Sequence, residues 1–414
     1  MLYPESSLHN TPVLNGVSWL VPDTDEEGLK LITQDVRPLS PFSDIVISFL
    51  DDLFFNLSDH PLKRVYPEVT TFAFFCRRSN LMQLQKPYQE EIKSRFGRGR
   101  VFHITPSNVP MNFAYSLVAA LLAGNSSVVR VSSKEVEQVE IVIQSINELL
   151  NRGDYQELIP YIQILRYGRE YKENTQMLSS NCDIRVIWGG DESIEQIRKA
   201  ALPAHAFDIT FADRTSLAVI RAETISIDTV RGITQGFYND TYLNDQNACT
   251  SPWMIAWVGT ESEIRMAKEL FWRTLEERVQ EQYSLNEISG VDKLATFMQH
   301  SVDAGGNLSL TDRQTNSIWR VKADVYSSDF DKHRCNSGYF LELDIESLNA
   351  LFPKLSRNYQ SLAYAGFEKE ELLQTLRESK SQGIDRIVPI GRTQDFSLNW
   401  DGYDLIRSMS RVIN

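Results

Sequence analysis

The sequence predicts a doubly wound α/β domain followed by a second α/β domain, and two features carry that prediction. Short β-branched runs alternate with helical stretches from residue 101 onward, the pattern of a mostly parallel sheet covered by helices. One stretch, VFHITPSNVPMNFAYSLVAALLAGNSSVVRVSSKE (residues 101–135), holds strand, helix and strand. So little sequence separates the strands that they must pair in parallel through a right-handed crossover.

Taken in order, residues 1–95 are the least informative: Ser40 to Asn56 reads as an amphipathic helix and Pro87 to Phe96 as a polar helix leading into the first strand. That strand is Val101 to Thr105. Pro106 breaks it, an apolar helix then runs to Gly124, and Ser127 to Val131 is the second strand. Ser132 to Glu135 reads as a capping box for the helix that ends near Gly153. Ile162 to Arg166 is a strand, Glu170 to Ser180 a helix, and Ile184 to Trp188 a strand stopped by Gly189-Gly190, with Asp191 capping the next helix. Thr210 to Ala212 and Ser216 to Ile220 add short strands, and Ile225 to Tyr238 a helix. After a polar segment comes the strand Trp253 to Val258, then helices Glu261 to Tyr283 and Lys369 to Ser379, a strand Arg386 to Ile390, a turn at Gly391 and a final helix. The domain change is placed near residue 235, which divides the chain into 1–235, 236–385 and a C-terminal segment, 386–414, that closes the fold.

The formal charge of −13 argues against nucleic acid or an anionic membrane surface as the main partner. Asp23, Asp25, Glu26 and Glu27 replace the basic and apolar regions of a leader, so no export is expected. Ile104 to Val129 carries no charge, but prolines and polar residues leave an apolar core only from Phe113 to Ala123. That is well under the roughly 18 residues a membrane span needs. Cys76, Cys182, Cys249 and Cys335 lie far apart with no CxxC spacing, which points to a reduced, cytoplasmic protein without structural zinc. Neither HxxxH nor HExxH occurs among His9, His60, His103, His205, His300 and His333, so no metal site is expected, and His103, inside a strand, reads as a packed residue.

Cys249 is the sharpest chemical candidate. A lone cysteine is more often an inert small hydrophobe, but Asp245, Gln246 and Asn247 before it and Thr250, Ser251 and Pro252 after it describe a polar loop. Such surroundings favour thiolate. Cys335, in HRCNSG, is the competitor. Thr105, Pro106, Ser107 and Asn108 form a polar turn at the carboxyl end of a parallel strand, where open α/β sheets bind ligands. Asn108 reads either as a turn former or as an amide donor to an oxyanion, and the roles are compatible. Arg130 and Lys134 flank the end of the second strand, where a cation meets a ribose phosphate or simply caps a solvated helix start. Gly189-Gly190 opens the way to a helix N-terminus, although a close-packed turn explains it equally well and no GxGxxG fingerprint is present.

Four ordered pieces, GRVFHITPSNVPMNFAYSLVAALLAGNSSVVRVSSK (99–134), IRVIWGGDESIEQIR (184–198), NDQNACTSP (244–252) and GIDRIVPIGR with WDGYDLIRS (383–408), resemble the aldehyde dehydrogenase superfamily. Within it they look most like the acyl-CoA reductases that supply fatty aldehyde to bacterial luciferase. The resemblance implies an aldehyde dehydrogenase-like fold, with 1–235 holding the N-terminal segment and an NAD(P)-binding domain and 236–385 a catalytic domain, Cys249 as acyl-accepting nucleophile and Asn108 as oxyanion donor. It places Arg130 at the superfamily's ribose-binding lysine, with Ser132 two places on, and Gly189 and Gly190 at its cofactor-binding turn. It also implies a dimer or higher homo-oligomer. One departure is informative: FADRTSLAVI (211–220) stands where oxidising members carry the Glu-Leu-Gly-Gly base. An acyl enzyme resolved by hydride needs no activated water.

The resulting expectation is NADPH-dependent reduction, with NADH as the other cofactor, of a fatty acyl thioester to an aldehyde through acyl-Cys249. The donor is acyl-CoA or an acyl carrier, with an acyl-transferring protein as a further partner. The alternatives are an NAD(P)-dependent aldehyde dehydrogenase working oxidatively and a non-catalytic subunit that keeps the fold inside an acyl-transfer complex.

Overall fold

The computed structural model describes residues 14–23, 25–304, 308–311 and 315–413, so His9 and the first 13 residues of the stretch read for a leader lie outside it. The chain divides into two compact units, Met1–Ala212 with Tyr403–Asn414, and Asp213–Gly402.

The strands of the first unit are β1 (Ser18–Val21), β2 (Arg95–Gly97), β3 (Arg100–Ile104), β4 (Ser126–Val131), β5 (Ile162–Arg166), β6 (Ile184–Trp188) and β7 (Phe207–Phe211). Six form one sheet in the order β1-β5-β4-β3-β6-β7, parallel throughout except for β1 on β5. The chain starts at β3, winds outward through β4 and β5, and returns to the other side of β3 for β6 and β7. This reversal makes the carboxyl end of β3 the topological switch point. All residues of β4 and β6 are buried, as expected for strands covered on both faces. The helix Asn112–Leu122 ends at Gly124, whose φ of +89° suits a residue without a side chain. A Cβ there would stand 2.1 Å from the Leu39 carbonyl oxygen, so the site excludes side chains on two counts.

Asn125, fully buried, accepts from the backbone N–H groups of Arg98 (2.7 Å) and Gly99 (3.1 Å) and donates to the Met409 carbonyl (2.9 Å). It thereby ties the C-terminal stretch, whose strand Ser410–Val412 pairs with β2, to the start of β3. His103, in mid-strand, lies between the Ser116 and Ser127 hydroxyls at 2.7 and 3.3 Å. Burial pushes its ring down to about 3, so it is a neutral packed residue.

The second unit holds β8 (Thr215–Arg221), β9 (Pro252–Val258), β10 (Leu308–Leu310), β11 (Trp319–Ala323), β12 (Tyr339–Ile345), β13 (Tyr359–Ala365) and β14 (Arg386–Pro389). Their order is β10-β11-β12-β9-β8-β13-β14, with only β10 antiparallel. Leu217, Trp253 and Tyr339 lie in the core on one side of this sheet, and Phe237, Trp257 and Phe271 in the core on the other. Glu342 is buried in the second layer. It accepts from the indole N–H of Trp257 (2.9 Å) and Trp272 (2.8 Å) and pairs with Arg320 at 3.0 Å, which satisfies the charge where it stands.

Several sequence expectations shift. The boundary lies at 212/213, not near 235, because β8 pairs with β9 and β13 and thus belongs to the second sheet. Residues 386–402 belong there too, since β14 pairs with β13, and only 403–414 close the first unit. Ser132 caps no helix: its Oγ accepts from the Lys134 N–H in a turn, and the helix starts at Glu137 with Val136 at its N-cap. Gly190, not Asp191, precedes the helix Asp191–Arg198. The helix expected from Ile225 runs Val230–Thr241. Pro87 to Phe96 is not an α-helix, because Lys86–Tyr88 and Ile92–Ser94 form single 3₁₀ turns and pairing with Ser410–Val412 draws Arg95–Gly97 out as β2. No helix among the described residues is long and apolar enough to cross a membrane.

Two stability outcomes follow. Asn125→Ala leaves the Gly99 N–H without its acceptor, while the Arg98 N–H keeps the Met409 carbonyl at 3.3 Å, and is expected to cost about 1–3 kcal/mol. Denaturant melting measures the loss, and amide exchange is expected to rise in residues 410–412. His103 binds no proton in the folded state above its depressed value, whereas the unfolded chain titrates near its ordinary ~6.5. Its contribution is therefore complete above about 6.5 and is lost as pH falls toward 3. Between about pH 6 and 4 the wild type is expected to lose stability more steeply than His103→Gln.

Candidate active site

In the first unit, the turn after β3 and the turn after β4 enclose a small open hollow of about 250 Å³. Thr105, Pro106, Ser107, Ser132 and Lys134 line it, with Pro110, Phe113 and Val131 beneath. Thr105 fixes the two strand ends together, its N–H and Oγ1 both donating to the Arg130 carbonyl at 3.2 and 3.1 Å. Arg130 does not line the hollow. Its side chain is buried, donates to the Tyr167 carbonyl at 2.9 Å and lies 5.1 Å over the Tyr167 ring, and burial lowers its pKa. Lys134 is thus the cation at the rim. Asn108 is exposed in the same turn.

Gly189 and Gly190 end β6 and precede the helix Asp191–Arg198. A Cβ on Gly189 would meet only the Ser193 Cβ at an ordinary 3.6 Å. Internal crowding therefore does not demand glycine there, and the open space suits the close approach of a phosphate to the backbone. The lining hydroxyls and Lys134 suit the ribose and phosphate of a dinucleotide.

In the second unit, Cys249 sits in the turn just before β9 and is partly exposed, whereas Cys76, Cys182 and Cys335 are buried. Burial pushes those three thiols up, away from the reactive thiolate form. Gln246 holds the loop. It is 1% exposed and left-handed at φ +58°, following Asp245 at +49°. Its Oε1 accepts from the N–H groups of Gly338 (2.9 Å) and Tyr339 (3.2 Å), and its Nε2 donates to the carbonyls of Pro252 (2.9 Å) and Tyr339 (3.2 Å). Two donors and two acceptor positions are all that a carboxamide has. Ser216 Oγ adds a hydrogen bond to the Cys249 carbonyl at 2.7 Å.

Arg334 completes the loop, and sequence reasoning missed it while weighing its neighbour Cys335. Its guanidinium donates to the carbonyls of Ala248 (2.7 Å), Gln246 (3.1 Å) and Arg214 (3.0 Å). Burial works against its charge, while the Cys249 sulfur, by charge and hydrogen bond, and Asp213 favour it. The same segment sends the Asn336 amide to Asn247 Oδ1 (2.6 Å) and the Ser337 N–H to the Asp245 carbonyl (2.9 Å). The only advance signal was a basic residue beside a cysteine in HRCNSG. Among the described residues no group of three or more His, Cys, Asp or Glu gathers to hold a metal ion.

The family model described as acyl-CoA reductase (LuxC) matches residues 76–412. A long-chain acyl-protein thioester reductase of Aliivibrio fischeri is 22% identical over 306 residues, covering 72% of this chain and 60% of the relative. Its counterpart in Vibrio harveyi is 26% identical over 175 residues, 41% of this chain and 34% of the relative. The matches thus span less than two thirds of either relative. Among solved structures, the lactaldehyde dehydrogenase of Escherichia coli aligns with a TM-score of 0.62 at 11% identity, covering 95% of this chain and 89% of that one. A glyceraldehyde-3-phosphate dehydrogenase of Methanocaldococcus jannaschii complexed with NADP aligns at 0.60 and 14% identity, covering 94% and 93%. The fold is therefore that of the aldehyde dehydrogenases.

Gln246→Ala is expected to destabilise the protein by about 3 kcal/mol, because it removes all four hydrogen bonds that its carboxamide makes to backbone groups of residues 252, 338 and 339. Calorimetry measures the loss, and the Cys249 loop is expected to gain amide exchange before the sheet does.

Proposed function

The chain belongs to the acyl-CoA reductase (LuxC) family, within the aldehyde dehydrogenase superfamily, and on that premise we propose that it reduces an acyl thioester to an aldehyde through an acyl-Cys249 intermediate. The observation that carries the reading is a partly exposed thiol on a loop fastened from below, with the Arg334 guanidinium beside it.

The Cys249 thiolate attacks the thioester carbonyl. The oxyanion accepts from the Cys249 N–H and, in the role the resemblance implies, from the Asn108 amide. Collapse expels CoA or the thiol of an acyl-protein and leaves the acyl enzyme, splitting one hard step into two. Arg334, beside the sulfur, offers a fixed cation to the negative charge that returns to it when the product leaves. Bound NADPH, with NADH as the other candidate, supplies the hydride that resolves the acyl enzyme. The thiohemiacetal on Cys249 then releases the aldehyde. Ser107, Ser132 and Lys134 would hold the ribose and phosphate of the dinucleotide, with Thr105 and Pro106 shaping the turn and Gly189 and Gly190 admitting its pyrophosphate. Arg130 acts behind them by fixing Tyr167. FADRTSLAVI (211–220), with no Glu-Leu-Gly-Gly base, supports reduction over hydrolytic oxidation. A homo-oligomer in the cytoplasm, acting on a long-chain donor, accompanies this reading.

Acyl-CoA-dependent NADPH oxidation is expected, exceeding aldehyde-dependent NAD reduction; the reverse ranking would favour the oxidative alternative. Cys249→Ser is expected to lower turnover about a thousandfold or more, and full retained activity would rule the mechanism out. Arg334→Gln is expected to slow both turnover and iodoacetamide alkylation of Cys249 by about tenfold or more, with Arg334→Lys recovering part of each. Lys134→Ala is expected to raise KM for NADPH about tenfold with kcat little changed.

A further inference from the structure

The helix Ile288–Asp303 is built inside out. Its inward face is polar: Ser289, Lys293, Thr296 and His300 are at most 9% exposed. Lys293 donates to the Asn316 carbonyl at 2.7 Å, and His300 bridges the Tyr339 hydroxyl (2.8 Å) and the Phe330 carbonyl (3.1 Å). Its outward face is apolar, with Ile288 63%, Val291 66%, Leu294 46%, Met298 56% and Val302 81% exposed. The spacing places these side chains along one stripe of the helix. Five large apolar side chains in a row differ from the scattered exposed hydrophobics that any surface carries, and patches of this kind mark interaction sites.

The rim decides what fits. Asp292 and Asp303 are exposed on the helix and Glu287 just before it, while its two basic side chains, Lys293 and His300, are buried. The exposed charges of the helix itself are thus acidic, with His333 of the neighbouring turn set against Asp303 at 3.4 Å, on a chain of net charge −13. A second copy would bring like charge against like charge, and an anionic membrane would be repelled. We infer that this face docks a partner protein through an amphipathic helix whose apolar ridge is flanked by Lys or Arg.

The position gives the surface a use. The helix's inner face rests on residues 330–339 through His300, and through Ser289, whose Oγ lies 3.5 Å from the Ser337 hydroxyl. That segment supplies Arg334, Asn336, Gly338 and Tyr339 to the Cys249 loop. The docked partner would sit one layer above the cysteine loop. The inference stands on exposure and charge and is independent of the reaction proposed above.

The test titrates full-length protein against a labelled designed peptide of about 18 residues, roughly five turns, with a Leu ridge flanked by Lys. A peptide with the same ridge flanked by Glu is the control. Saturable anisotropy is expected for the Lys peptide, at least tenfold weaker for the Glu peptide, and at least tenfold weaker when Leu294→Lys and Met298→Lys are combined. Both positions are exposed, and an unchanged thermal melt confirms folding. Equal binding to wild type and variant, no saturation with the Lys peptide, or preference for the Glu peptide would overturn the inference. So would light scattering that shows a wild-type oligomer reduced to monomer by the double variant, which would make the occupant a second copy.

Discussion

One buried carboxamide, Gln246, uses every hydrogen-bonding position it has on main-chain groups at the amino ends of β9 and β12. A polar side chain so deep in the protein is tolerable only when fully satisfied, and full satisfaction leaves it a single orientation. The loop that carries it inherits that orientation, including the left-handed backbone at Asp245 and Gln246. Cys249, three residues on, is held by consequence. Arg334 then adds charge to geometry, with three carbonyls accepting from its guanidinium and the Cys249 sulfur beside it. A fixed cation that needs no rearrangement when negative charge develops is worth more than a mobile one at the surface.

The two units solve different problems with the same architecture. Each has a mostly parallel sheet whose first parallel strand, β3 or β8, lies inside, so each has a switch point at its carboxyl edge. The first unit uses that edge in the way open sheets generally do, gathering hydroxyls and Lys134 after β3 and β4. The second places its cysteine at the opposite edge, before β9, where loops from β12 can be fastened across it. Buried polar groups such as Gln246, Glu342 and His300 recur in that unit. Its core is specified by hydrogen bonding as well as by apolar volume.

What the sequence revealed depended on range. The βαβ unit at 101–131, β6 and the helix Lys369–Ser379 were legible because period, proline and glycine are local signals. Cys249 stood out because its neighbours are polar. Ser132 misled because a Ser-x-x-Glu spacing fits a turn closed by the Lys134 N–H as well as a capping box. The boundary near 235 failed because β8 has the same composition as a strand of either sheet, and only its pairing with β9 and β13 assigns it. Arg334 was invisible since its carbonyl partners lie 86 to 120 residues away. The inverted helix 288–303 escaped because a helical period shows that a face is apolar without showing which way it points.

The central claim is that the Cys249 sulfur takes the acyl group before any hydride arrives. Intact-protein mass spectrometry after mixing with acyl-CoAs of graded chain length, in the absence of reduced cofactor, addresses it most directly. The account predicts a mass increase of one acyl group that maps to the peptide containing Cys249 and disappears on adding NADPH with release of aldehyde. An unmodified protein with every acyl-CoA and acyl-protein donor, while Cys249 remains open to alkylation, would contradict it.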